Sequence, residues 1–407
     1  MSQPWHTDQW FTSPWNHVPE VRDHLSFAPR IKIHDITLRD GEQQTGVALT
    51  ADEKVRIAEA LAEAGVHRIE AGMPVVSAAD KEAIERIVKL GLPAEIFSFS
   101  RCMVDDVQRA ADCGVSGIIV EIPSSEHIIE KAYAWPLQRA IDLSIEATAR
   151  AKELGLYTVF FPIDASRADL TWFLDLITKV ATEGHMDALA CVDTFGGTSP
   201  SAMAFLVRAC RKRLGKPVET HFHDDFGCAV ANTLLGLAAG ADVAHVTVAG
   251  TGERAGNAAL EQVVMGLLTM YNIDVGVDTT KLCALADLVR ETFRHAVPGN
   301  RSVIGKRLYQ VESGIVASWV KQCGDENLLE LFPYRPELVG QDAVSVVMGK
   351  GSGADSVRIW LDRLGLDPAK DDDEVMRIVV ACKQKSIAKK GLLTEDEFRA
   401  IADSVRR

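Results

Sequence analysis

The feature that most constrains the fold is a regular alternation of short apolar runs with longer amphipathic segments after residue 30. The apolar runs read IKIHDITL, HRIEAGMP, EIFSFS, GIIVEIP, YTVFFPID, DALACVD, VETHFH and VAHVTVAG. The segments between them, such as TADEKVRIAEALAEAG, place apolar residues at helical spacing. Eight such strand–helix units over roughly 250 residues predict an α/β fold, a (β/α)8 TIM barrel. A doubly wound open sheet is the alternative, but it normally has fewer strands, and no GxGxxG follows the first run.

The alternation divides the chain into three predicted parts. Residues 31–285 form the barrel, and residues 1–30 form an N-terminal extension with three tryptophans in otherwise polar sequence. After the barrel, residues 286–407 are rich in helical patterns and predict a small, mainly helical C-terminal region.

Composition excludes several classes of function. The net charge of −13 disfavours a nucleic-acid partner, although a local basic pocket for a phosphorylated cofactor remains allowed. No apolar run approaches the roughly 20 residues that a membrane-spanning helix needs, so no membrane association is expected. The amino terminus lacks the pattern of a secretion signal. The 8 cysteines are scattered without a framework, which indicates reduced thiols and a cytoplasmic location.

Polar residues concentrate where the predicted strands end, which is where TIM barrels carry their chemistry. His221 and His223 lie two positions apart in a strand-like run, so their side chains leave the same face. Asp40 follows the first strand, and Asn257 lies in the loop after the eighth. Together these residues offer two oxygens and two imidazole nitrogens, a set that suits a divalent cation with open positions. For any one of them alone, a solvated loop residue is the simpler interpretation.

Three motifs carry a resemblance to a known family. HDITLRDGEQ, ETHFHDDFG and GTGERAGNAALEQVV are similar, in order and spacing, to the metal-dependent Claisen-condensing barrels. These are the isopropylmalate, homocitrate and citramalate synthases, whose barrel 3-hydroxy-3-methylglutaryl-CoA lyase shares. The resemblance is strong over residues 31–275 and weaker beyond. It implies an acyltransferase that condenses an acyl-CoA, expected to be acetyl-CoA, with a 2-oxo acid.

The resemblance also implies roles at matching positions. Asp40, His221 and His223 would ligate the cation, with Asn257 as a fourth or more distant ligand. The cation is expected to be Mg²⁺ or Mn²⁺ rather than Zn²⁺. A homodimer is implied as well, because a partner's C-terminal subdomain usually covers the active site in these synthases.

Further roles concern catalysis and substrate binding. Arg39 would stabilise the developing alkoxide, and Glu70 would pair with Arg39 and orient it. Thr194 and Gln43 would contact the 2-oxo acid. Tyr334, in FPYRPELVG, would take part in proton transfer. Since the printed sequence carries one helical region after the barrel, feedback control through a leucine-binding domain is not expected.

Departures from the family pattern affect the acid–base groups. Val316 and Gly351 stand where these synthases usually carry histidines, and Ile163 replaces one acid of the strand-five motif. Valine cannot move a proton, so another group would have to do so or the reaction would differ. The candidates for that group are Tyr334, Glu312 and His127.

Three functions fit the sequence. The first is the acyl-CoA:2-oxo acid acyltransferase, and the second is a carbon–carbon lyase that cleaves a 3-hydroxy acid or its CoA ester. The third is a non-catalytic relative that keeps the metal site. The lyases carry a cysteine in the loop after strand eight, whereas this chain has Glu253 and Arg254 there and no cysteine. The sequence therefore favours condensation.

Overall fold

Eight parallel strands close into a barrel in residues Pro14–Val297, one of two compact units of the chain. The computed structural model describes residues 3–407, so Met1 and Ser2 of the predicted N-terminal extension lie outside the described part. Residues 3–13 belong with Pro298–Arg407 in the second unit. The predicted (β/α)8 barrel is confirmed, because the strands pair in chain order and the first strand pairs with the eighth.

The barrel unit contains the following strands and helices. The strands are β1 Lys32–Asp35, β2 Arg68–Glu70, β3 Glu95–Arg101, β4 Gly117–Pro123, β5 Tyr157–Ile163, β6 Ala188–Asp193, β7 Val218–Phe222 and β8 Val243–Val246. The helices are α1 Pro19–Arg22, α2 Ala51–Glu63, α3 Ala78–Lys89, α4 Val104–Asp112, α5 Glu126–Lys131, α6 Leu137–Glu153, α7 Leu170–Glu183, α8 Pro200–Leu214, α9 Ala229–Ala238, α10 Leu260–Tyr271 and α11 Leu282–Phe293. Short 3₁₀ turns cover Pro14–His17, Gly41–Gln43, Ala165–Arg167, Val248–Gly250 and Thr279–Lys281.

Alternate residues of the strands fill the interior of the barrel. Phe97 and Phe99 of β3, Ile119 of β4, and Val159 and Phe161 of β5 belong to one buried cluster. Because side chains of a strand alternate between its two faces, the residues between them pack outward against the helices. Because apolar side chains fill the middle of the barrel, the polar side chains of the candidate site lie at the carboxyl ends of the strands.

Local signals set the helix boundaries. The hydroxyl of Thr50 accepts a hydrogen bond from the Glu53 amide, and the Glu53 carboxylate accepts one from the Thr50 amide at 2.8 Å. This capping box begins α2, whose buried face includes Ile57 and Leu61. Gly65 follows the helix with a φ of +87°, a backbone conformation that favours glycine.

The second unit is mainly helical, as the sequence predicts. Its helices are α12 Gly314–Cys323, α13 Ala354–Arg363, α14 Asp372–Lys389 and α15 Glu395–Arg406, with 3₁₀ turns at Leu328–Glu330 and Pro336–Val339. Two short parallel strands, β9 Gln310–Val311 and β10 Ser345–Val346, complete it. Trp360, Ile378 and Phe398 lie in its core. Within residues 3–407, every helix is too short or too polar to cross a bilayer.

Candidate active site at the carboxyl ends of the barrel strands

The turn after β1 brings Arg39 and Asp40 to the mouth of the barrel. Asp35, the last residue of β1, accepts hydrogen bonds from the Thr37 amide at 2.9 Å and the Thr37 hydroxyl at 3.0 Å. The next residue after Asp40 is Gly41, where a Cβ atom would lie 2.9 Å from the Thr251 hydroxyl. Glycine at this position therefore lets the β1 turn approach the loop after β8 closely.

Asp40, His221 and His223 surround a single point. His221 is a buried residue of β7. His223 lies just after β7 and forms a β-bridge with Asn257. The Nε2 atoms of His221 and His223 lie 3.6 and 3.8 Å from Oδ2 of Asp40. These distances are too long for hydrogen bonds. One ligand atom of each residue lies within 4.8 Å of the others, a spacing that one shared cation can bridge.

The electrostatics of the three buried side chains suit a cation. Burial, followed by the charges of His223 and Arg39, lowers the pKa of His221 well below its usual value. His221 is therefore neutral at physiological pH, which is the form that binds metals. Since Asp40 and His223 reach the same buried point, a divalent cation would find one carboxylate and two imidazole nitrogens there.

Asn257 lies against the same group. Its Nδ2 donates hydrogen bonds to Oδ1 of Asp40 at 2.7 Å and to the Thr251 carbonyl at 3.2 Å. Its Oδ1 is buried and has no hydrogen-bond partner among residues 3–407. A buried polar atom is normally paired, so this oxygen points to a missing ligand. The donor set therefore fits a divalent cation, with Asn257 either orienting Asp40 or completing the ligand set.

Arg39 is held rigidly beside these residues. Its Nε donates to the Glu70 carboxylate, and its Nη1 donates to Asp40 at 2.9 Å and to Gln43 at 3.3 Å. The guanidinium lies over the ring of Phe99, 3.9 Å from the ring centroid. Its Nη2 is buried and has no partner within residues 3–407, so one donor remains available for a substrate oxygen.

Glu70 fixes the orientation of Arg39. Burial alone would raise the pKa of Glu70, but the charge of Arg39 and the neighbouring His34 bring it down to about 2. Glu70 is therefore ionised and pairs with Arg39 in the interior. The Nε2 of His34 lies 3.4 Å from the other Glu70 oxygen.

A second group of buried residues lies deeper in the barrel. Nε2 of His245 lies 2.7 Å from Glu219, and Nη1 of Arg68 donates to Glu219 at 2.8 Å. His34, Glu219 and His245 are close enough to hold an ion. Because Glu219 is already bonded to a histidine and an arginine, we interpret this group as an internal hydrogen-bond network.

The other predicted site residues of the barrel unit lie on the rim. The Thr194 hydroxyl, just after β6, accepts a hydrogen bond from the Asp164 amide at 2.8 Å. His127 lies 3.2 Å from the carboxylate of Asp164, which also accepts a hydrogen bond from Ser125 at 2.5 Å. A cavity of about 390 Å³ opens beside Arg39 and Gln43.

Tyr334 belongs to the second compact unit. It forms a bridge with Trp10, and its carbonyl accepts a hydrogen bond from the Tyr309 hydroxyl at 3.0 Å. Glu312, another predicted candidate for proton transfer, lies in the same unit and accepts a hydrogen bond from the Gly351 amide at 2.8 Å. The proton-transfer role of Tyr334 stays a prediction.

Glu121, an acid within the apolar run of β4, is absent from the site residues that the sequence predicts. It lines a cavity of about 250 Å³ together with Arg101 and Tyr133. The signal was present in the sequence, because Glu121 lies two residues after Ile119 and so shares its inward face.

Comparison with known proteins assigns the chain to a family. The sequence model of the family described as HMGL-like matches residues 30–289. The chain belongs to the HMGL-like family. The resemblance that the three motifs carry is thereby confirmed at the level of the family.

Named relatives of this HMGL-like chain extend over nearly its whole length. It is 37% identical over 399 residues to homocitrate synthase AksA of Methanothermobacter thermautotrophicus, covering 98% of each chain. It is 41% identical over 378 residues to the putative (R)-citramalate synthase CimA of Archaeoglobus fulgidus, covering 92% of this chain and 75% of the relative. It is also 35% identical to 2-isopropylmalate synthase of Methanocaldococcus jannaschii, with 95% and 74% covered.

Solved structures agree on the fold. The HMG-CoA lyase of Bacillus subtilis superposes with a TM-score of 0.60 at 22% sequence identity, covering 67% of this chain and 97% of the lyase. At this level of identity the similarity concerns the barrel alone.

Proposed function

We propose that this HMGL-like protein is an acyltransferase that condenses an acyl-CoA, in the simplest case acetyl-CoA, with a 2-oxo acid. The observation that carries the proposal is the buried group of Asp40, His221 and His223 beside the unpartnered Nη2 of Arg39. The names of the relatives, which are homocitrate, citramalate and isopropylmalate synthases, support the same reaction class.

The metal would be held by Asp40, His221 and His223, with Asn257 in reach of the same point. When bound, a divalent cation supplies Lewis-acid polarisation of the ketone of the 2-oxo acid. We propose Mg²⁺ or Mn²⁺, because the oxygen donors and open positions of this site do not resemble a closed thiolate zinc site.

Arg39 would stabilise the charge that develops on the ketone oxygen. Its unpartnered Nη2 is a preorganised donor, because Glu70 and Asp40 already fix the rest of the guanidinium. Gln43, which contacts Arg39 at 3.3 Å, and Thr194 would bind the carboxylate end of the 2-oxo acid. Tyr334 would take part in proton transfer from the C-terminal unit of a partner subunit.

Replacing Thr194 by valine should raise the KM for the 2-oxo acid about 10- to 100-fold and change kcat little. Loss of one hydrogen bond to a charged group costs roughly 1.5–3 kcal/mol, and the contact exists in both the ground and transition states. Steady-state kinetics with varied 2-oxo acid measure this effect. Thr194→Ser keeps the hydroxyl that accepts from the Asp164 amide and should remain close to wild type. Equal KM values for Thr194→Val and wild type would contradict the role.

The proposed reaction is tested by following release of free thiol. Purified protein is incubated with acetyl-CoA, a panel of 2-oxo acids, and Mg²⁺ or Mn²⁺. Thiol release that needs both a 2-oxo acid and the metal supports condensation. Cleavage of a 3-hydroxyacyl-CoA without any condensation would instead identify a lyase, and inactivity in both directions would identify a binding protein.

We also propose a homodimer that acts in the cytoplasm, with residues 31–285 as its catalytic domain. The dimer follows from the resemblance, and the location follows from the scattered cysteines. Sedimentation velocity tests the dimer, since a monomer at the concentrations used for activity would contradict it.

A further inference from the structure

We propose that Glu121, which projects into the barrel mouth from β4, is the general base that removes the α-proton of the acyl-CoA. The inference rests on the proposed condensation, which needs a base to generate the carbon nucleophile. The three positions that depart from the family pattern, Val316, Gly351 and Ile163, carry no titratable side chain.

The position of Glu121 follows from the barrel geometry. Ile119 belongs to the buried cluster inside the barrel, so the alternation of β4 directs Glu121 to the same interior face. Glu121 is in register with Arg101 of β3 and with Phe161 of β5. The ring of Phe161 packs edge-on against His221, with 4.8 Å between the ring centroids. Glu121 is therefore level with the group that would hold the cation, three strands away from β7.

The carboxylate of Glu121 is available to a ligand. The side chain is half-buried, and no group of residues 3–407 forms a hydrogen bond or an ion pair with it. It opens on a cavity of about 250 Å³, whose wall includes Tyr133 and Trp135. The cavity lies beside the ends of β3 and β4 and is also lined by Arg139 of α6. A carboxylate without a partner among the described residues can accept a proton from a molecule bound against it.

The other carboxylates at the mouth are already engaged. Glu42 accepts a hydrogen bond from the Leu49 amide at 2.8 Å. Asp193 accepts hydrogen bonds from Ser166 at 2.6 Å and from the Thr198 amide at 3.0 Å. The remaining engaged acids, described above, are Asp40, Glu70 and Asp164. Glu121 differs from all of them in having no partner among the described residues.

Burial places the pKa of Glu121 in the range of a useful base. Burial raises its pKa to about 7, against the opposing charges of Arg39 and Arg101. A base whose pKa lies near the working pH combines a large ionised fraction with a strong tendency to take the proton. The titratable and charged groups that face it, from all the elements packed around it, are Arg39, Glu70, Arg101, Cys102, Asp106, Tyr133 and Arg139.

Besides the acyl-CoA and the 2-oxo acid, the reaction needs only water. The α C–H bond of the acyl-CoA breaks, its proton passes to an Oε atom of Glu121, and its electron pair forms the enolate. The enolate carbon bonds to the ketone carbon of the 2-oxo acid, and the ketone π-electron pair moves to oxygen. The oxygen takes up one proton while Glu121 gives up the one that it accepted, directly or through water, so the carboxylate is regenerated. Hydrolysis of the thioester releases the CoA thiol. No group is oxidised or reduced.

Glu121→Gln tests the inference by kinetics. We expect kcat to fall about 10²- to 10⁴-fold, while the KM for the 2-oxo acid stays within about twofold of wild type. In wild type, the rate should rise with pH through a pKa of about 7, because only the ionised carboxylate accepts a proton. This rise should be absent in Glu121→Gln. The isotope effect on kcat with methyl-deuterated acetyl-CoA should increase, since proton removal becomes fully rate-limiting.

Two further variants keep the result interpretable. Glu130→Gln is the same change at an exposed residue of α5 and should behave as wild type. Glu121→Asp keeps a carboxylate and should recover part of the rate. An active wild type together with an unchanged rate and pH profile in Glu121→Gln overturns the role of Glu121 alone. An inactive wild type overturns the proposed condensation and this role with it.

Discussion

Replacing His221 by alanine should abolish metal-dependent turnover while the barrel stays folded. The change removes one of three side chains that surround a single buried point, so we expect Mn²⁺ affinity to fall by at least about 100-fold. The imidazole is neutral and its Nδ1 has no partner in residues 3–407, so its removal leaves no buried charge unpaired. The cost to the metal-free fold should be about 1–3 kcal/mol, mainly from the cavity left beside Phe161.

Titration calorimetry with Mn²⁺ and thermal unfolding without metal separate these two effects. His24→Ala removes an exposed imidazole of the same unit and serves as the matched control. Normal activity and normal Mn²⁺ affinity in His221→Ala would show that the ligand assignment is wrong.

Arg39→Gln should lower kcat about 10²- to 10³-fold and also destabilise the protein. The loss of rate follows from the loss of a preorganised donor to the alkoxide. The loss of stability follows from Glu70, which remains fully buried without its cation, a change that costs about 3–5 kcal/mol. Steady-state kinetics and denaturant unfolding measure the two effects, and Arg56→Gln on the exposed face of α2 is the control.

The double variant Arg39→Gln/Glu70→Gln should recover stability but not activity. In wild type, Arg39 holds the pKa of Glu70 at about 2, so this pair stabilises the fold above the unfolded pKa and less as pH falls towards 2. Without Arg39, burial should raise that pKa above its usual value. Acidification from pH 7 to 5 should therefore stabilise Arg39→Gln relative to wild type. An unfolding free energy of Arg39→Gln equal to wild type at both pH values would contradict the pairing.

The strand-end pattern located the mouth of the barrel correctly from the sequence. The period of the apolar runs predicts which residues of a strand share a face. In the structure Asp40, His221 and His223 lie together, although Asp40 and His223 are 183 positions apart in the chain. The pairing of Glu70 with Arg39 was implied by the family resemblance, and the two side chains form an ion pair in the structure. The metal-ligand assignment itself stays a prediction that the experiments above test.

Two features of the site were beyond the sequence pattern. The alternation of β4 places Glu121 on the inward face, but the cavity beside it depends on how β3, β4 and α6 pack together. The network of Arg68, Glu219 and His245 joins strands that are far apart in the chain, and its distances depend on the closure of the barrel. Tyr334 lies in the second unit, and its proton-transfer role stays a prediction.

Anomalous diffraction from crystals grown with Mn²⁺ tests the shared cation most directly. We expect one peak about 2 Å from a carboxylate oxygen of Asp40 and from the Nε2 atoms of His221 and His223. A Mn²⁺ peak found only at another place, for example among His34, Glu219 and His245, would contradict the account.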